Sequence, residues 1–124
     1  MGIFNAIMGN VSGVDIEQIQ KQYAEILCEG EHIECAFSHI RDKWVFTNKR
    51  LILQDTQGLT GKKKEYLSIP YHSVEYFSIE TAGSFDEDAE LKIWVKGMGT
   101  PVEVEFSRGQ NILEIERMLA KYVL

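Results

Sequence analysis

Phe46-Thr47-Asn48-Lys49-Arg50-Leu51-Ile52-Leu53 reads as the middle of a β-hairpin. Apolar residues stand on both sides of Asn48-Lys49, a pair suited to a tight turn, and the flanking runs carry the aromatic and branched side chains that fit a pleated surface. Thr47 and Arg50 bracket the turn. A guanidinium there can fork onto carbonyls or a carboxylate and fix the hairpin, a structural role.

Moving outward, the period of two holds on both sides of the turn. His32-Ile33-Glu34-Cys35-Ala36-Phe37 and Trp44-Val45-Phe46-Thr47 precede it and Leu51-Ile52-Leu53 follows it. Further strands are predicted over 65–69, 73–81, 89–95 and 101–106, which makes about seven short strands at sandwich or barrel spacing. Ile40-Arg41-Asp42 is a polar connection, 57–64 a loop punctuated by Gly58 and Gly61, and Pro70 an edge or a strand start.

Before Gly30 the period is 3.6. Asp15 is placed as the N-cap of a helix running to Cys28, with Ile16, Ile19, Tyr23, Ile26 and Leu27 on one face. The first eleven residues gather Ile3, Phe4, Ile7, Met8 and Val11 on one side of a short predicted helix. At the other end, Ser107-Arg108-Gly109-Gln110 has the form of a capping box, and Ile112, Ile115, Leu119, Tyr122 and Val123 form the stripe of a terminal helix. That helix is expected to close an open end of the barrel. The chain thus divides into a helical N-terminal extension, 1–30, and a β domain with its cap, 31–124.

With 124 residues, 44% of them hydrophobic, the chain suits one hydrophobic core. A net charge of −6 argues against nucleic acid as a partner. Cys28 and Cys35 are expected as reduced thiols, and with no cationic leader in view the expected location is cytoplasmic. No apolar run is long enough to span a bilayer.

Chemistry-bearing constellations are scarce. His32, His39 and His72 lack zinc-ligand spacing, and Asp86-Glu87-Asp88 lacks the rest of a calcium loop and reads as a solvated turn. No nucleophile elbow or phosphate-binding glycine loop occurs, so no catalytic residue, metal or cofactor is expected. Lys62-Lys63-Lys64 is the one basic run. It reads either as a solvated loop or as a site for a phosphate or an anionic lipid head group.

Several segments in order resemble the bacterial pleckstrin-homology-like family: residues 46–53, Gly58-Leu59-Thr60-Gly61-Lys62-Lys63, Tyr66-Leu67-Ser68-Ile69-Pro70-Tyr71, Glu80-Thr81-Ala82-Gly83 and Ala89-Glu90-Leu91-Lys92-Ile93-Trp94. The resemblance implies a mainly β, seven-stranded antiparallel barrel capped by the C-terminal helix and preceded by a helical extension. It also implies ring-shaped homo-oligomers. The polar face of the N-terminal helix, Gly2, Asn5, Ala6, Gly9 and Asn10, carries no cation, which favours protein over lipid as the cover of Ile3, Phe4, Ile7, Met8 and Val11: packing between subunits is the leading expectation, packing within the chain the second and a membrane interface the last. The expectation is a non-enzymatic, self-associating scaffold. The alternatives are an anion or lipid site at Lys62, Lys63 and Lys64, or capture of a peptide on a strand edge.

Overall fold

A computed structural model of the chain describes residues 4–6, 13–39, 42–84, 88–106 and 112–124. Among them, two four-stranded sheets pack with two helices. One sheet contains β1 (Phe4–Ala6), β6 (Val74–Thr81), β7 (Ala89–Val95) and β8 (Val102–Phe106), in the order β1-β8-β7-β6. The other is a meander of β2 (Ile33–His39), β3 (Asp42–Thr47), β4 (Arg50–Gln57) and β5 (Lys63–Pro70), hydrogen-bonded in sequence order. Every pairing among these strands is antiparallel except that of β1 with β8, which is parallel.

The N-terminal segment departs from its sequence reading. Phe4–Ala6 is a strand opposite Val104, Glu105 and Phe106, not part of a helix. An unpaired β8 edge offers backbone partners that a short isolated helix cannot match, and tertiary pairing overrides the local apolar period. Ile3, Ile7, Met8 and Val11 lie outside the described residues, as do Asp86, Glu87 and the Ser107 to Gln110 capping box.

Helix α1 (Gly13–Gln22) stops six residues short of the predicted end at Cys28. Beyond it, side chains take the groups a longer helix would have used. The Ile26 carbonyl accepts from Arg50 Nη2 at 2.6 Å and the Cys28 amide donates to Glu31 Oε1 at 3.0 Å. Helix α2 (Ile112–Val123) buries Ile112, Ile115 and Leu119 of its predicted stripe together with Met118, and leaves Tyr122 and Val123 half-buried.

Two layers of core explain why β3 and β4 read as nearly continuous apolar runs while β7 alternates. Between the sheets and under α2 lie Phe37, Trp44, Phe46, Leu51, Leu53, Leu91, Ile93, Val104 and Phe106. On the outer face of the meander, Ala36, Val45 and Ile52 meet Ile19 and Tyr23 from the α1 region. The meander is therefore covered on both sides. β7 buries Ala89, Leu91, Ile93 and Val95 and turns its intervening residues outward.

The two seams between the sheets differ. At one, β1 pairs with β8 and also lies against β2. At the other, β5 and β6 are joined through the 3-10 turn Tyr71–Ser73, and each is the last strand of its sheet. No helix among the described residues is long and apolar enough to cross a membrane.

Candidate functional site

Arg50 shows how the hairpin at the centre of the fold is built. Its Nε donates to Glu31 Oε2 at 2.8 Å and its Nη2 to Glu31 Oε1 at 3.0 Å, a bidentate fork. Nη1 reaches Ser68 Oγ at 2.8 Å on β5. Thr47 Oγ1 donates to Glu31 Oε2 at 2.7 Å and accepts from the Lys49 and Arg50 amides. Asn48 Oδ1 accepts from the His32 amide at 2.8 Å, and Tyr71 donates its hydroxyl to the Thr47 carbonyl at 2.6 Å. The turn, the end of the α1 region, β5 and the 3-10 turn are thereby tied at one point.

Glu31 is buried, and burial by itself would raise its pKa. The hydrogen bonds from Arg50, Thr47 and the Cys28 amide, together with the Arg50 charge, outweigh that and hold the carboxyl at about 2. A carboxylate so fully committed to its partners is a fastening and has no lone pair to spare for a substrate. Glu31 went unread in the sequence. The available signal was an arginine beside a turn, which needs an anion, and an acid directly after Gly30.

A second group of residues lines a small cleft between β2 and α2: Glu34, Cys35, Glu114, Arg117, Met118, Lys121 and Tyr122. Tyr122 donates to Glu34, which pushes the phenol up to about 12, and stacks on Tyr71 with ring centroids 5.2 Å apart. Burial drives the Cys35 thiol well above its usual range, so it stays protonated and inert. Cys28 is exposed, and both cysteines are free thiols. The cleft mixes two acids with two cations. It has the character of a helix-to-sheet junction.

The basic run is split between two elements. β4 extends to Gln57 and β5 begins at Lys63, so Lys63 and Lys64 are strand residues opposite Gln57 and Thr56, and only Lys62 stays in the loop. All three are exposed. Gly58 at φ 81° and Gly61 at φ 69° turn the loop, and between them Leu59 stands fully in solvent. That tip was not singled out from sequence. Among the described residues no cluster of His, Cys, Asp or Glu could hold a metal ion.

The edge of β6 has no neighbouring strand among the described residues. Tyr76 is 57% exposed and its ring stacks on Trp94 of β7 at 4.7 Å, on the outer face of the sheet. Ser78 and Glu80 follow along the same face opposite Lys92 and Glu90. Here an eight-residue strand with no outer neighbour among the described residues carries the exposed Tyr76, whose ring stacks on the half-buried Trp94. Such an edge presents a row of backbone donors and acceptors ready to pair with another strand. The edge of β5 is guarded differently, by Lys63, Lys64 and a terminal Pro70.

Comparison with known proteins gives a consistent picture. The family model for the bacterial PH domain matches residues 2–123. The Bacillus subtilis uncharacterized protein YjqA is 50% identical over 121 residues, 97% of each chain. The uncharacterized protein YozO of the same organism is 34% identical over 103 residues, covering 83% of this chain and 88% of its own. Among solved structures, a DUF1696 family protein with a pleckstrin-homology domain from Shewanella loihica is similar with a TM-score of 0.82 at 40% identity, over 94% of this chain and 97% of that one. A pleckstrin homology domain from Shewanella amazonensis gives a TM-score of 0.71 at 46% identity, over 94% of both chains.

Proposed function

Because the chain belongs to the bacterial PH domain family, we propose that it works as a non-enzymatic interaction module that assembles with copies of itself into a closed ring. The observation that carries this is the β6 edge, unpaired among the described residues, with the Tyr76 and Trp94 stack beside it. Backbone groups along the edge supply hydrogen bonds to an incoming strand, and the exposed Tyr76 ring, backed by the half-buried Trp94, supplies apolar area next to it. Identical subunits favour closed point-group assemblies, which is how a small barrel gains a large composite surface. In this reading the apolar residues Ile3, Phe4, Ile7, Met8 and Val11 add a second contact between subunits.

Sedimentation velocity of the full chain beside Tyr76→Lys tests the reading. The expected result is a discrete multimer for the parent and a shift toward monomer for the variant. A variant that sediments like the parent removes the edge from the interface.

A second reading has its own observation, the solvent-exposed Leu59 next to Lys62, Lys63 and Lys64 at the β4–β5 hairpin. An apolar tip with a basic collar suits the surface of an anionic bilayer. Sedimentation with phosphatidylserine vesicles at low salt is the check: replacing the three lysines with Gln abolishes binding if the reading holds, and a parent protein that stays in the supernatant ends it.

A further inference from the structure

We propose that the cleft between β2 and α2 is a binding site for a free α-amino acid with an apolar side chain. The cleft offers about 190 Å³. An apolar cavity of roughly 150 Å³ holds a molecule the size of benzene, so there is room here for a single small metabolite and not for a folded partner. No residue of the cleft belongs to the β6 edge or to the lysine hairpin, and failure here leaves both readings above untouched.

Two local devices build the site. The ladder between β2 and β3 slips between Ile33 and Cys35: Ile33 pairs with Thr47 and Cys35 with Phe46, which leaves Glu34 as the extra residue of a β-bulge. A bulge re-aims the side chain it carries. Here the Glu34 carboxylate reaches α2, where its Oε1 accepts the Tyr122 hydroxyl, and His32 Nε2 lies 3.6 Å from the same oxygen. Oε2 is in no hydrogen bond or ion pair with the described residues. On the helix, Arg117 and Lys121 are four residues apart, as are Glu114, Met118 and Tyr122, the spacing that brings side chains onto one face. Tyr122 is held by its bond to Glu34 and by its stack on Tyr71.

The buried part of the cleft is apolar. Cys35 and Met118 are both buried, with Sγ and Sδ 3.8 Å apart. Burial, reinforced by the Glu114 and Glu34 charges, keeps the thiol protonated. A neutral thiol beside a thioether is a soft surface suited to an aliphatic side chain. The rest of the lining is charged and balanced, two carboxylates against two cations. Arg117 and Lys121 are exposed, and neither is in an ion pair with a described residue.

That balance selects the ligand. A phosphate would set its charge against two carboxylates, and a metal ion would meet two cations. A molecule with one charge of each sign beside an apolar group satisfies the whole lining. Its carboxylate accepts the fork of the Arg117 guanidinium with Lys121 beside it, its ammonium donates to Glu34 Oε2, and its side chain lies on the two sulfurs. An α-amino acid carries these three groups on one carbon, and three separate attachments make the site sensitive to the hand of that carbon.

The experiment uses the full chain carrying carbon-13 in its methionine methyl groups. The Met118 methyl reports the cleft, and that of Met98, exposed between β7 and β8, is the internal control. Titration with L-leucine is expected to move the Met118 signal saturably and leave Met98 in place. N-acetyl-L-leucine lacks the ammonium and L-leucinamide the carboxylate; each, like D-leucine, should bind roughly tenfold more weakly or worse. Arg117→Gln and Glu34→Gln should each weaken L-leucine binding by roughly the same factor, since each removes one charged pair. Gln at position 34 keeps an acceptor for Tyr122, and melting curves report any folding defect in either variant. The ligand analogues test the site on the unaltered chain. A Met118 signal that stays still at millimolar L-leucine, one that moves only in parallel with Met98, or one that responds equally to N-acetyl-L-leucine and L-leucinamide overturns the proposal, as do folded variants that bind like the parent.

Discussion

At the scale of single residues the fold hangs on one ion pair. Glu31 is almost wholly shielded, Arg50 forks onto it, and Thr47 adds a third donor. The guanidinium's forking was legible, because an arginine beside a two-residue turn has few other uses. Its acid was not, because Glu31 lies 19 positions away, beyond β2 and β3, in a helix-to-strand connection that periodicity does not resolve. Removing one partner of such a pair leaves a buried charge uncompensated, and Arg50→Met should cost about 3 kcal/mol at pH 7. The pH dependence has a definite sign. The Glu31 carboxyl sits at about 2 when folded, below its ordinary 4.5, so its stabilisation is complete above the ordinary value and fades as pH falls toward 2. Urea unfolding of parent and Arg50→Met should therefore show a gap that narrows as the pH is lowered through that window. A gap that does not change with pH would show that the pair contributes through packing alone.

At the scale of elements, strand identities were readable where one face is buried and the other wet. The alternation of β7 and the stripe of α2 correspond to the burial found. Elements covered on both faces gave up their type but not their length: β4 continues to Gln57, and the loop that should have held three lysines holds one. The N-terminus misled for a physical reason. Ile3, Phe4, Ile7 and Met8 have helical spacing, yet Phe4–Ala6 completes a sheet whose β8 edge has no other partner among the described residues. Deleting residues 1–12 strips β1 from β8 and from the seam beside β2. Losing a few backbone hydrogen bonds at roughly 1 kcal/mol each should lower the melting temperature by several degrees. An unchanged melting temperature would mean that β1 adds nothing to the fold.

At the scale of the whole molecule, the chain is a PH-like barrel with one seam sealed by β1 and one with no filling strand among the described residues. The second seam has the Tyr76 and Trp94 stack beside it, which could not be read without knowing that β6 ends its sheet. The apolar N-terminal stripe points to self-association from sequence, and the assembly proposed above draws on a different surface, the β6 edge. The most direct test of the account is native mass spectrometry of the full-length chain across a tenfold dilution. The account predicts a discrete multimer whose subunit number does not change over that range; a monomer throughout would contradict it.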